Sequence, residues 1–277
     1  MKTIDLFKQS KNYSTKMEKY FEVYDQIFEK YKEKKIVFVE VGVLNGGSLE
    51  IWKKYFHPES RIIGIDLNPD TKKFEKNGFE IYIGDQSNPQ FWGNFFKEVG
   101  NIDILLDDGG HTNLQQIITL NECIKNINDE GILMTEDTHT SYMQEFANPG
   151  KYSFINYTKK IIDDINYKFP NIGSFQYSLS NYIYSIQYFE SMVVFNVNKS
   201  KTKTNTQIIN KPSSENKIKD LRSYNSITGK MIRNKYIYKL KFLKNNKFIS
   251  FLYYFFLHKL SFLENLKHRK KTKVYFK

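Results

Sequence analysis

Apolar residues fall at helical spacing across Lys16–Lys34, where Tyr20, Tyr24, Phe28 and Tyr31 recur every three or four positions among interleaved charges. That pattern predicts an amphipathic helix. The period then shortens. Ile36–Val41 is a β-branched run ending at glycines, as expected of a strand buried on both faces. Further strands are predicted at Arg61–Asp66, Phe79–Ile83, Ile102–Asp107 and Gly131–Glu136, with helices at Ser48–Phe56, Pro89–Val99 and Asn113–Ile127 between them. Strands that alternate with helices predict a parallel sheet. After another helix near Tyr152–Phe169, the strands Ile183–Phe189 and Met192–Val197 are separated only by Glu190 and Ser191. So short a connection makes them an antiparallel hairpin. The expected fold is α/β, a doubly wound, mostly parallel seven-stranded sheet ending in that hairpin.

Composition changes the picture at the C-terminus. The 277 residues carry a net charge of +12, but residues 199–277 hold 21 Lys and Arg against three acids. The remainder is net acidic, so a basic whole-protein pI says nothing of the sheet domain. The chain divides into a helical segment (1–35), the α/β domain (36–198), a polar linker (199–216) and a basic, aromatic-rich segment (217–277). In that last segment Lys235, Lys239, Lys241, Lys244 and Lys247 interleave with Tyr236, Tyr238, Phe242, Phe248 and the run Phe251–Phe256. Three roles compete for it: docking on an anionic membrane, nucleic-acid binding, and packing on its own domain or a second subunit. Nucleic acid is the least favoured of the three, and a homo-oligomer is allowed. Cys123 is the single cysteine, which excludes an intrachain disulfide and suits a reducing compartment. No signal-peptide pattern opens the chain and no apolar run is long enough to span a bilayer. A cytoplasmic protein is expected, reaching the inner membrane face at most through its tail.

Candidate chemistry lies at the ends of the predicted strands. Glu40-Val41-Gly42-Val43-Leu44-Asn45-Gly46-Gly47-Ser48 follows the first strand, and its glycines let backbone approach a ligand closely. The spacing is not that of a dinucleotide fingerprint. Asp66 ends the second strand, where a ribose hydroxyl is held in doubly wound folds, and Asp85 follows the third, within reach of an adenine amine. Carboxylates favour a nucleoside without phosphates beside them, and S-adenosylmethionine has that character. Glycines and acids at strand ends also serve as plain turns, but three acids at three successive ends weigh toward the ligand. The arrangement resembles the Rossmann-like class I methyltransferases over Ile36–Val197. That resemblance implies that Glu40, Gly42, Asn45, Gly46 and Ser48 surround the methionine moiety, Asp66 the ribose and Asp85 the adenine.

Two further turns are more specific: Asp107-Asp108-Gly109-Gly110-His111 after the fourth strand, and Glu136-Asp137-Thr138-His139-Thr140-Ser141-Tyr142 after the fifth. Clustered carboxylates repel unless a cation is bound, and oxygen donors select a hard one such as Mg²⁺ or Mn²⁺. The ligand set expected from the residues is Asp108, Glu136 and Asp137, with His111 free to act as base. Asp107 is expected to end its strand near the cofactor sulfonium. Asp137 could instead cap the following segment, His139 either orients the turn or touches substrate, and Tyr142 lines the acceptor pocket. These turns resemble those of the metal-dependent macrolide-sugar O-methyltransferases, related to the cephalosporin-hydroxylase-like group. In that family the second Asp of the first turn and both acids of the second hold Mg²⁺, and the His is the base. The resemblance carries those roles to Asp108, Glu136, Asp137 and His111. It departs at Gly110, where the family has Ser, and in the few residues that precede the first strand. The fourth strand lacks the Asn/Asp-Pro-Pro-aromatic element with which enzymes grip a base amine, so an oxygen acceptor is expected. The expected activity is methylation of a sugar hydroxyl, on a nucleotide-activated hexose or heptose for capsule or other surface polysaccharide. The alternatives are a diol or RNA methyltransferase and an inactive cofactor-binding scaffold.

Overall fold

A computed structural model describes residues 1–146, 150–166, 178–203 and 247–276, with positions 205, 206, 208, 210, 226, 229 and 230. The chain divides into two compact units, Met1–Gln207 and Ile208–Lys277.

The first unit is built on seven strands: β1 (Val37–Val41), β2 (Arg61–Asp66), β3 (Glu80–Ile83), β4 (Ile102–Asp107), β5 (Ile127–Thr135), β6 (Ile183–Phe189) and β7 (Met192–Val197). Their order is β3-β2-β1-β4-β5-β7-β6, and only the pairs involving β7 are antiparallel. The mostly parallel, Rossmann-like sheet with its closing hairpin is therefore as expected. Chain order reverses direction between β1 and β4, and ligands bind above such a switch point.

Period-two alternation along β1 sends Phe38 to one face and Val39 and Val41 to the other. On the first face lie α1 (Thr3–Lys8), α2 (Tyr20–Phe28) and α3 (Gly47–Tyr55), where Tyr24, Phe28, Phe38, Trp52 and Phe56 form one aromatic cluster. On the second lie α4 (Pro89–Val99), α5 (Asn113–Cys123) and α6 (Phe154–Asn166), packed through Trp92, Phe95, Leu120 and Phe154. Asn88 caps α4 with proline at its start, and Thr112 and Gln115 form a capping box on α5.

Two sequence expectations change. The helix expected from Lys16 begins only at Tyr20: Ser10, Lys11 and Asn12 are tied to Glu50, and the Lys16 side chain turns to Asp108 and Glu136. The fifth strand begins at Ile127, not Gly131, since Ile127 still pairs with Ile102 across an irregularity. Positions 167–169 of the helix expected at Tyr152–Phe169 lie outside the described residues, as do most of the linker and the basic segment up to 246. The second unit contains α7 (Lys247–Glu264) and α8 (Leu266–Lys273). Among the described residues, no helix is long and apolar enough to cross a membrane.

Candidate functional site

The C-terminal ends of β1, β4 and β5 are tied edge to edge. Asp108 N–H donates to Val41 O at 3.0 Å and Glu136 N–H to Asp107 O at 2.9 Å. These bonds bring the three turns named from sequence to the rim of one cavity of about 660 Å³. Gly42, at φ +92°, lets the first turn approach so closely that a Cβ there would lie 2.1 Å from the Asp108 carbonyl oxygen.

Gly42, Asn45, Ser48, Asp66 and Asp85 line this cavity, as do Asp108, His111 and Asp137. Glu40, Gly46, Asp107, Glu136, His139 and Tyr142 are not on its wall. Asp66 also braces the glycine turn: Oδ2 accepts from Val43 and Leu44 N–H, and Oδ1 from Asn68 N–H. Asp85 accepts from Ser87. The wall carries five aspartates, including Asp70, against Lys73 as its only lysine. That balance disfavours a phosphate-bearing ligand and tolerates a cationic one.

On the outer side of the rim, Asp108, His111 and Asp137 each offer a ligand atom, all within 4.8 Å of one another. His111 Nε2 lies 3.5 Å from Asp137 Oδ2 and 3.9 Å from Asp108 Oδ1. Both His111 and Asp137 hold left-handed backbone, at φ 59° and 52°, a conformation that costs non-glycine residues about 1–3 kcal/mol and collects at functional sites. The Nδ1 of His111 is buried with no hydrogen-bond partner among the described residues. A compact donor set of two carboxylates and an imidazole fits a small divalent cation.

Glu136 is fully buried and faces inward. Tyr24 donates its hydroxyl to Oε1, and the Lys16 ammonium lies 2.9 Å from Oε2. The same ammonium is 2.6 Å from Asp108 Oδ2 and 3.4 Å from Glu40 Oε1. Glu40 also accepts from Ser48 and Trp52 Nε1. Burial pushes the Glu40 carboxyl up to about 7, against the pull of Lys16, and raises Glu136 in the same way. Burial opposes the charge on Lys16 too, but the summed attraction of Asp108, Glu136, Tyr24 and Glu40 outweighs it and raises its pKa well above normal. These directions conflict, since desolvation favours neutral acids and Lys16 favours ionised ones. Lys16 comes closer to Glu136, 2.9 Å away, than to Glu40, 3.4 Å away, and burial keeps both carboxyls raised. Tyr20 donates to Asp137 Oδ1 at 2.6 Å.

Lys16, Tyr20 and Tyr24 are site residues that the sequence reading gave only to a helix, the two tyrosines as part of its apolar stripe. Gln86 was also missed: its amide bonds Asp107 Oδ1, Thr119 and Gly110 N–H, fixing the turn that carries His111. Asp107 is buried and its carboxyl raised to about 6, first by desolvation. At Gly110 a Cβ would lie 2.3 Å from the Gln115 amide, so a serine there requires Gln115 to move out of its capping box. His139 bonds Ser191 through Nδ1, and Tyr142 is exposed.

No family model matches the chain. A crystal structure of MycE methyltransferase from the mycinamycin pathway, in complex with Mg and SAH, superposes with a TM-score of 0.65 at 21% identity, covering 76% of this chain and 58% of that one. The fold is that of the class I S-adenosylmethionine-dependent methyltransferases. In sequence the chain is similar to O-methyltransferases of Streptomyces. It is 27% identical to the 8-demethyl-8-alpha-L-rhamnosyl tetracenomycin-C 2'-O-methyltransferase of Streptomyces olivaceus, over 53% of this chain and 41% of that one. It is also 27% identical to the demethylmacrocin O-methyltransferase of Streptomyces fradiae, over 52% and 39%. The match spans about two fifths of the length of these curated relatives.

Proposed function

We propose that the chain is a metal-dependent O-methyltransferase that transfers the methyl group of S-adenosylmethionine to a sugar hydroxyl. One observation carries this reading: Asp108, His111 and Asp137 converge on the rim of an acidic cavity of about 660 Å³ at the switch point of a methyltransferase fold. By its name, the tetracenomycin relative methylates a rhamnosyl compound, and it supplies the sugar class of acceptor.

Asp66 and Asp85 are the groups that grip ribose and adenine, and the glycine turn admits the methionine end. Asp108 and Asp137, with Glu136 as the third acid of the family pattern, are the residues that would hold Mg²⁺ or Mn²⁺. A bound cation of this kind lowers the pKa of a nearby hydroxyl and orients it. His111 Nε2 takes the proton of that hydroxyl as the oxygen is methylated. Positioning does most of the remaining work, because S-adenosylmethionine supplies an already activated methyl group. His139 and Tyr142, both off the cavity wall, are the residues proposed to meet the acceptor from outside it. The acceptor is a hexose or heptose, first as a glycoside of the kind that the first relative's name gives, and second as a nucleotide-activated precursor of surface polysaccharide.

The test is methyl transfer to a panel of nucleotide sugars and glycosides, with Mg²⁺ and with EDTA, for wild type and His111→Ala. Turnover abolished by EDTA and reduced about 10²–10⁴-fold by the substitution is expected. Turnover indifferent to both refutes the mechanism, and transfer to nucleotide sugars alone moves the acceptor to the activated precursor.

A further inference from the structure

Lys16 sits where the reading above needs a metal to pull. Its side chain is 2% exposed and its ammonium bridges Asp108 Oδ2 and Glu136 Oε2, two of the three carboxylates of the proposed ligand set. The other oxygen of Asp108 faces His111, while Asp137 is held by Tyr20. We propose that Lys16 is a tethered cation that competes with the divalent ion for Asp108 and Glu136. The argument rests on the metal-dependent reading and on three points. Glu40, Asp108 and Glu136 together need a compensating charge, and Lys16 pairs with all three. A fixed ammonium repels a dication at the same oxygens. The ammonium is carried on residues 10–19, which lie outside helix and strand and are tied to α3 through Glu50. It can therefore withdraw without breaking a sheet ladder or the body of a helix. A site filled by its own lysine stays closed at low metal and opens when metal rises. Ser14 and Thr15 of the same segment line the cofactor cavity, so the exchange also reaches its wall.

Mn²⁺ titration followed by electron paramagnetic resonance, on the full chain without substrate, tests this. Lys16→Met should bind Mn²⁺ at least about tenfold tighter than wild type, and Lys16→Arg, which keeps the charge, should show no gain. A second measurement needs no variant: amine-reactive labelling of wild type should leave Lys16 protected without metal and modified at saturating Mn²⁺. Unchanged or weaker binding by Lys16→Met, or protection that persists with metal, overturns the competition and leaves the metal site standing. Absence of Mn²⁺ binding in all proteins overturns both.

A separate observation carries a second inference. In α7 and at the start of α8, Phe251, Leu252, Phe255, Phe256, Phe262, Leu263 and Leu266 are all exposed, at the spacing of one helical face. Lys259 lies over the Phe255 ring and Arg269 over Phe262, and α8 reads LKHRKKTK without an acid. We infer that this face lies in the plane of an anionic lipid surface, rings inward and cations at the headgroups. Charge decides the partner, since residues 199–277 carry 21 Lys and Arg against three acids. The full chain should float with vesicles of phosphatidylcholine plus phosphatidylglycerol and not with phosphatidylcholine alone. Phe255→Ser with Phe256→Ser should lower the bound fraction at least about tenfold. Equal flotation with both vesicles, flotation with neither, or unchanged binding by the variant overturns it, as does retention on RNA without flotation.

Discussion

Gly42→Ala isolates the contact that joins the cofactor turn to the metal turn. A Cβ at this position would lie 2.1 Å from the carbonyl oxygen of Asp108 and 2.9 Å from its carbonyl carbon, in backbone at φ +92°. Both neighbours are main chain, so no side chain can rotate away. The strained dihedral costs about 1–3 kcal/mol and the overpacking about as much again. A loss of about 2–6 kcal/mol lowers Tm by about 6–18 °C in a unit of this size. The same shift displaces Asp108 from Lys16 and His111, so cofactor affinity should fall by about tenfold or more. Differential scanning calorimetry and titration calorimetry with S-adenosylhomocysteine measure the two effects. Gly93→Ala is the internal control: in mid-α4 its Cβ would meet nothing within 4 Å, and the exchange should stabilise by up to about 1 kcal/mol. Equal Tm and affinity for Gly42→Ala and wild type would refute the argument, because the close approach would then not constrain the site.

Tyr24→Phe removes the hydroxyl that Glu136 accepts in the core and should cost about 1.5–3 kcal/mol in urea unfolding; no loss would mean the pair is not formed. Asp66→Asn leaves one acceptor where two carboxylate oxygens now serve Val43, Leu44 and Asn68, so cofactor affinity should fall while α3 and the sheet persist by circular dichroism. Glu40, raised to about 7, holds its proton more tightly folded than unfolded. Its stabilising contribution is complete below pH about 4.5 and lost as pH rises through about 7, an order of magnitude of about 3 kcal/mol in metal-free protein. Glu40→Gln should flatten the fall in Tm across that window, and an unchanged slope would assign it to other groups.

The sheet was legible because buried parallel strands are continuous β-branched runs: Arg61–Asp66, Ile102–Asp107 and both hairpin strands stand where the pattern put them. The rim was legible for a related reason, since chemistry in such folds gathers where strands stop, and Asp108, His111 and Asp137 do stop β4 and β5. What stayed hidden comes from far along the chain. Tyr20 and Tyr24 do belong to an apolar stripe, as their spacing says, but only the fold shows where their hydroxyls end, on Asp137 and Glu136. Lys16 looked like one more interleaved surface charge, and its burial depends on residues 92 and 120 positions away. Gln86 had no signal, because a lone amide beside Asp85 has no period and no motif.

The hairpin tip at Ser191 has a consequence for how the protein comes into being. Ser191 receives Thr138 N–H and bonds both His139 and Tyr20, a residue 171 positions earlier. The start of α2 and the tip of the closing hairpin thus meet over the second acidic turn, a long-range closure that is slow to form. A nascent chain that has passed Asp137 already carries every carboxylate of the site, but its clasp arrives only when the hairpin leaves the ribosome. Closure of the site is therefore a late event in synthesis, and a chain cut short before the hairpin is translated carries the acids without their clasp.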